Sequence, residues 1–432
     1  MSITKEESKT KVYPLSNSKD LDPLLQRIGD SRIVLLGEAS HGTHEYYTWR
    51  SAITKRLIEE KGFNFIAVEG DWPDCYRVNR YIKGFADNSK KPEEVLRNFN
   101  RWPTWMWANW EIVAMVTWLK DFNQKSPANK RAGFYGLDVY SLWESLEALI
   151  NYLKNTDPST AKIAEKVLDC FSAYEKNERL YAINSLSASC KNEVVQLLKE
   201  IRLKASHYDH DPEAELNTVQ NAFVAVEAEN YYRNMVTFDN QTWNIRDKHM
   251  MDTLNRILEF HGPNSKAIIW EHNTHVGDAR YTSMRKSGMF NIGQLAREQY
   301  SENEAVIVGF GSYSGSVMAG DDWGATMQEM EVPEAKKGSI EEILHNESED
   351  NRMIIFDRSR NSLNAEDEFN KVVPHRAIGV VYHPKFEEGN YVPSHFSRRY
   401  DSFIYIDRTT ALHPLHIKPD GGQMPETYPF EF

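Results

Sequence analysis

Cysteine is scarce in this chain: three residues, Cys75, Cys170 and Cys190, among 432. Thiols so few and so scattered exclude a disulfide framework or a zinc ribbon, and they read as ordinary thiols in a reducing compartment. Long apolar runs are missing too, since nothing approaches the roughly eighteen residues a membrane helix needs. The opening stretch, MSITKEESKTKVYPL, carries charges where a signal peptide would hold an apolar core. Both absences point to a cytoplasmic protein with no membrane partner. Positive charge is also short, with 51 Lys and Arg against 63 Asp and Glu for a net charge of -12. No basic face is then available for nucleic-acid phosphates, and neutral or cationic ligands suit the chain better.

What is present suffices for a large core, at 41% hydrophobic and 12% aromatic residues with no low-complexity tract. Short apolar and β-branched runs bounded by turn residues predict strands at Ile33–Leu36, Phe63–Val68, Ala132–Leu137, Lys266–Trp270, Glu304–Gly309, Ala377–Tyr382 and Phe403–Ile406. Most are continuous rather than alternating, as in parallel strands covered on both faces. Between the first three lie helical stretches, such as the stripe Tyr46, Trp49, Ile53 and Leu57. From 142 to 260 the pattern is helical throughout. The expectation is one α/β domain over residues 1–432, a mostly parallel sheet flanked by helices, with an all-helical insertion or cap at 142–260. The acidic stretch from Glu341 to Asn370 reads as an exposed helix and a loop.

The strand ends carry the chemistry. The first runs into Glu38 and His41, the second ends in Glu69-Gly70-Asp71, the third in Asp138, and the fourth runs into Glu271-His272 and His275. The carboxyl ends of parallel strands line one edge of a sheet, where ligands bind, so four such ends converge on one cleft. Each residue has a plainer reading. Glu38 could cap the next helix, Asp138 reads better as a cap than as a site residue, and His44 and Glu45 fall in a first helical turn facing solvent. A lone His41 would be a structural histidine. Grouped with Glu38, Glu69 and His272, it becomes an imidazole oriented and tuned by carboxylates for proton transfer.

Three stretches, LLGEASHGTHEYYTWR, VEGDW and IIWEHNTHVGD, resemble the erythromycin esterase family and its succinoglycan-biosynthesis-like relatives. The resemblance extends over most of the chain. It implies a cytoplasmic hydrolase acting on a macrolide lactone or another small-molecule ester. It places the family's essential histidine on His41, its partner acid on Glu38, its arginine on Arg50, its second acid on Glu69, and its later histidine pair on His272 and His275.

Ester hydrolysis needs an activated nucleophile and a donor for the oxyanion. No G-x-S-x-G elbow is present, and GFGSYSG at 309–315 puts Tyr313 between its last two glycines. Ser40 is a conceivable nucleophile, but water is the better one. His41 is then the general base, held in its tautomer by Glu38 or Glu69, while His272 and Arg50 polarise the carbonyl, unless Arg50 instead pairs with a buried Glu69. His275, Asp71 and Trp105 are the expected substrate contacts, the last from RWPTWMWANWE, whose tryptophans are otherwise core. The two H-x-x-H pairs, His41/His44 and His272/His275, keep a metal-dependent hydrolase as an alternative; the favoured site holds no metal and no cofactor. GFGSYSG also falls short of a dinucleotide fingerprint and reads as a tight turn at the cleft. A binding protein for a cationic small molecule is the non-catalytic alternative, and it would not need a base, an acid and an arginine together.

Overall fold

The computed structural model describes residues 10–86, 89–174, 176–208, 211–237, 240–356, 369 and 371–419. Its strands, in chain order, are β1 (Lys11–Pro14), β2 (Ile33–Leu36), β3 (Phe65–Asp71), β4 (Gly133–Asp138), β5 (Ala267–Trp270), β6 (Ala305–Ala319), β7 (Gln328–Val332), β8 (Arg352–Ile355), β9 (Val372–Arg376), β10 (Tyr391–His395) and β11 (Ser402–Thr409). The architecture is α/β, a mostly parallel sheet flanked by helices. Chain contacts divide it into two units, residues 1–63 with 266–412, and 64–265 with 413–430.

In the first unit the strands run β1-β8-β11-β6-β2-β5, with β7 on the far half of β6. The four strands β11, β6, β2 and β5 are parallel, and β1, β7 and β8 join antiparallel. All four residues of β2 and of β5 are buried, as continuous apolar runs require. The helix His44–Lys61 follows β2 and ends at Gly62, whose left-handed φ of 69° closes it. Its buried face is Tyr46, Tyr47, Arg50, Ile53, Thr54, Leu57 and Ile58. Arg50 thus occupies the inward position that the predicted stripe gave to Trp49, which is half-buried.

Three sequence expectations need correction in this unit. Ala377–Tyr382 is not a strand; Ile378 and Val381 make isolated bridges to Ser40 and Gly320. GFGSYSG is no turn but the middle of β6, paired residue by residue with β11 from Val308↔Ser402 to Gly315↔Thr409. The acidic stretch begins in a helix, Ile340–Glu347, whose Glu341 is fully buried, and continues into β8. Residues 357–368 and 370 of that stretch lie outside the described residues. β1, β7, β9 and β10 escaped the sequence reading because each is short and partly exposed, with no apolar run to betray it.

The second unit holds β3 and β4, parallel and buried, followed by the expected helical run, Leu142–Thr156, Pro158–Ser172, Glu178–Asn184, Lys191–Leu203, Ala214–Asn234 and Gln241–His261. These helices share one core, including Leu146, Leu149, Leu153, Phe171, Leu197 and Tyr231. The reading of the cysteines as thiols fails for two of them. Cys170 and Cys190 form a disulfide that ties the helix Pro158–Ser172 to the start of the helix Lys191–Leu203, while Cys75 is a buried thiol outside any disulfide. Sequence spacing could not show this, because the helices between fold the two cysteines back together.

Closing a loop of 20 residues should contribute about 3 kcal/mol through the unfolded chain. Alkylation of the denatured protein should therefore label Cys75 alone, and all three cysteines after reduction. The reduced protein should unfold at lower urea by that amount; equal midpoints would count against the bridge.

Two histidines of this unit are held neutral. Burial, helped by Arg256, pushes His249 down to about 3, and burial, helped by Lys83, pushes His261 down to about 3. A depressed histidine contributes stability that is present above its unfolded value and lost as pH falls through the folded one. Each should thus steepen acid destabilisation between about pH 6.5 and 4 by about 1.4 kcal/mol per pH unit. Urea titrations across that range should show a shallower slope for His261→Asn and for His249→Gln.

Candidate active site

The loop from Gly37 to Thr43 leaves β2 and is pinned along its length. Gly37 N–H donates to Val308 O (2.9 Å), Ala39 O accepts from Ile378 N–H (2.8 Å), and Gly42 O accepts from Met318 and Leu412 (both 2.9 Å). Its two motif glycines are there for close approach. A Cβ on Gly42 would fall 1.9 Å from Met318 O, and one on Gly37 would fall 2.1 Å from Asn273 Oδ1.

Within this frame Glu38 takes two partners. Its Oε1 meets His41 Nδ1 at 2.8 Å and its Oε2 accepts from Arg50 Nη2 at 2.5 Å, with all three side chains buried. Glu38 therefore does not cap the helix, whose N-cap is Thr43. Arg50 does not pair with Glu69 as the alternative had it. Its guanidinium lies 4.4 Å from the Tyr47 ring and 4.8 Å from that of Trp270, two rings that enclose it beside Glu38. The hydroxyl of Ser40 is bonded to that of Thr43.

His272 stands beside His41, with ring centroids 5.0 Å apart and planes inclined by 39°. It caps the single-turn helix Asn273–Val276. Its Nδ1 accepts the Thr274 N–H (3.3 Å) and meets Thr274 Oγ1 at 2.8 Å. A nitrogen that accepts a backbone N–H carries no proton, so neutral His272 has its hydrogen on Nε2. His41, with Nδ1 against a carboxylate, is the opposite tautomer. His275 is buried one turn further along this helix.

Asn273, between them, was not singled out in the sequence. Its backbone N–H donates to Glu38 O (2.8 Å). Its side chain binds Phe310 O at 2.7 Å, Phe310 N at 3.3 Å and His375 Nε2 at 3.2 Å. His375 Nδ1 in turn meets Glu341 Oε1 at 2.7 Å, both side chains being fully buried. Burial holds His375 below its ordinary value. Burial alone would raise Glu341, but His375 and Arg376 outweigh it and keep the carboxyl below the usual range. Nothing in the spacing of residues 273, 341 and 375 announces this dyad; only a histidine inside a short strand hints at it.

The other expected site residues lie in the second unit. Glu69 binds Arg246 Nη2 at 2.6 Å, and the same arginine takes Asp138 at 2.7 and 3.0 Å, so Asp138 anchors an ion pair and is not the cap it was read to be. Asp71 accepts from Arg101 Nε at 2.8 Å; burial raises its carboxyl, against the pull of that arginine. Trp105 is buried, edge-on to Trp102 at 5.3 Å. Glu45, half-buried in the first helical turn, accepts from Thr410 N and Oγ1 at 2.8 and 2.9 Å.

The fold is that of a family of hydrolases. A family model for erythromycin esterase matches residues 58–409, a span that begins beyond the His41 loop. The chain is 22% identical over 380 residues to erythromycin esterase type II of Escherichia coli, covering 80% of this chain and 85% of that one. It is also 22% identical over 349 residues to the putative hydrolase YbfO of Bacillus subtilis, covering 76% and 75%. Among solved structures, a succinoglycan biosynthesis protein superposes with a TM-score of 0.74 at 21% identity over 93% of this chain and 95% of the other. A variant of the erythromycin esterase EreC in its open conformation gives 0.66 at 15% over 93% and 98%. The chain belongs to the erythromycin esterase family. Among the described residues no helix is long and apolar enough to cross a membrane.

Breaking a buried ion pair strands the remaining charge, at a cost of about 3–5 kcal/mol. Arg50→Met should cost that much in urea unfolding, and Glu38→Gln added to it should restore part of the loss. A double variant as unstable as the sum of the two single ones would show that Glu38 and Arg50 do not depend on each other.

Proposed function

We propose that the protein hydrolyses an ester, a macrolide lactone or a related one, by direct attack of water. The observation that carries this reading is the opposite protonation of two adjacent imidazoles. Glu38 holds the His41 proton on Nδ1, which makes Nε2 the basic nitrogen. Nε2 takes a proton from water as the hydroxide oxygen adds to the carbonyl carbon. His272 presents N–H from Nε2 and donates to the oxyanion that forms. The tetrahedral intermediate then breaks its C–O bond, and His41 returns the same proton to the leaving alkoxide. Arg50, enclosed by aromatic rings, acts through Glu38, holding the carboxylate in place against His41. His275, in the same unit as the two imidazoles, is the proposed further contact of the substrate.

The test is hydrolysis of a panel of macrolides and simple esters followed by mass spectrometry. General-base catalysis is worth about 100- to 10,000-fold, so His41→Asn should lower kcat by that much with the fold intact. His272→Ala should lower it about 100- to 1,000-fold, the usual loss for an oxyanion donor. The rate should rise with pH as His41 becomes neutral. Glu38→Gln should move that limb to lower pH, since removing the carboxylate disfavours the imidazolium. Ser40→Ala should change little, and chelation should leave turnover intact. A trapped acyl-Ser40 adduct, or loss of activity in chelator reversed by a divalent metal, would overturn the mechanism.

A further inference from the structure

Asn273, which follows His272 in the chain, is fully buried, and each of its polar atoms is bound. Its N–H donates to Glu38 O at 2.8 Å, and its carbonyl accepts from Arg399 Nη2 at 2.8 Å and from Gly277 N–H at 3.0 Å. Phe310 reads the side-chain amide from the backbone of β6. Its N–H can only donate and its carbonyl can only accept. Asn273 Oδ1 therefore faces Phe310 N at 3.3 Å, and Nδ2 faces Phe310 O at 2.7 Å.

The second hydrogen of Nδ2 remains for His375 Nε2, 3.2 Å away. An amide nitrogen only donates, so that ring nitrogen is the acceptor and carries no proton. The His375 proton is then on Nδ1, against Glu341 Oε1 at 2.7 Å. Arg376 N–H holds the same carboxylate oxygen at 2.9 Å, which fixes it in place. Burial favours the neutral ring that this pattern needs.

Two strand-end loops meet at Asn273. Through Glu38 O it is tied to the loop that carries His41, and through the chain itself to His272. The 5.0 Å between the two imidazoles is thus spanned by one residue. Taking away the acceptor at His375 would leave a buried N–H without a partner, which folded proteins rarely tolerate, and the amide would turn or shift. A proton moved to His375 Nε2 would do the same by setting N–H against N–H.

We propose that His375, with Glu341 behind it, is a positioning residue for hydrolysis, locking the Asn273 amide so that His272 stays registered against His41. The proposal rests on the hydrolase reading above and deepens it. Neither residue touches the substrate. Glu341 acts at one further remove, by keeping the His375 proton on the far nitrogen.

The experiment combines kinetics on the best ester of the panel above with 15N spectra of the histidine rings. A misplacement of about 1 Å can cost about 100-fold, so His375→Leu and Glu341→Leu should each lower kcat about that far with KM little changed. The double variant should lose no more than either alone. His375→Gln, whose Oε1 can accept at the same place, should recover most of the rate. Leu24→Ala, in the core of the same unit, should lower stability and spare kcat. A fall in kcat for His375→Leu no larger than for Leu24→Ala overturns the proposal. The spectra test it without turnover and without a variant that fails to fold. In the wild type, His375 should carry its proton on Nδ1, and a proton on Nε2 overturns the proposal. In His375→Leu, the His272 ring should change from Nε2–H alone to a mixture of tautomers, and an unchanged His272 overturns it too. If no ester is turned over, the hydrolase reading falls, and these two spectral results decide the positioning role.

Discussion

One carboxylate organises the site. Glu38 is buried with a partner on each oxygen, and neither oxygen can be released without leaving a charge in the interior. Removing two ions from water is costly, and their attraction offsets that cost only when geometry is good and the remaining groups are satisfied. Geometry is supplied by Tyr47 and Trp270, whose rings lie 4.4 and 4.8 Å from the Arg50 guanidinium, and by the Trp270 N–H, which donates to Thr54 at 3.0 Å. Those contacts come from the helix after β2 and from the last residue of β5. The position of His41 is thus set by the pairing of two parallel strands.

A second buried carboxylate repeats the arrangement on the other side of Asn273. Glu341 orients His375, His375 meets the Asn273 amide, and Asn273 ties Glu38 O to the end of β6. The segment between His272 and His275 therefore has hydrogen bonds in three directions. Hydrogen-bonded networks of this kind are costly when incomplete and rigid when complete. Here the two imidazoles keep different tautomers 5.0 Å apart, which a mobile loop would average away.

Much of this was readable from the chain, for definite reasons. β2, β4, β5 and β11 announce themselves because strands buried on both faces must be apolar throughout. The polar residues directly after β2 and β5 stand out for the same reason, and Glu38, His41, Arg50 and His272 lie in one unit, whereas Glu69, expected beside them, lies in the other and binds Arg246. The partners of Glu38 were less legible. Arg50 could as well have met Glu69, and only the aromatic pair around it decides the matter. His375 and Glu341 were invisible, since a dyad 34 residues apart leaves no periodic trace. Ala377–Tyr382 has the composition of a strand but makes single bridges instead. The disulfide depends on how helices fold back, which spacing does not encode.

β6 is 15 residues long, and its two halves serve different neighbours. The first half pairs with β2, while Met318 near its end bonds to Gly42 beside His41. Side chains along a strand alternate between faces, so adding or deleting one residue turns over everything that follows. A one-residue insertion between Val308 and Gly315 would displace Met318 from Gly42 and shift the pairing with β7 and β11 together. Descendants of this chain can therefore drift in sequence along β6 but not in length. An alignment of natural relatives should show its gaps on either side of this strand and none within it.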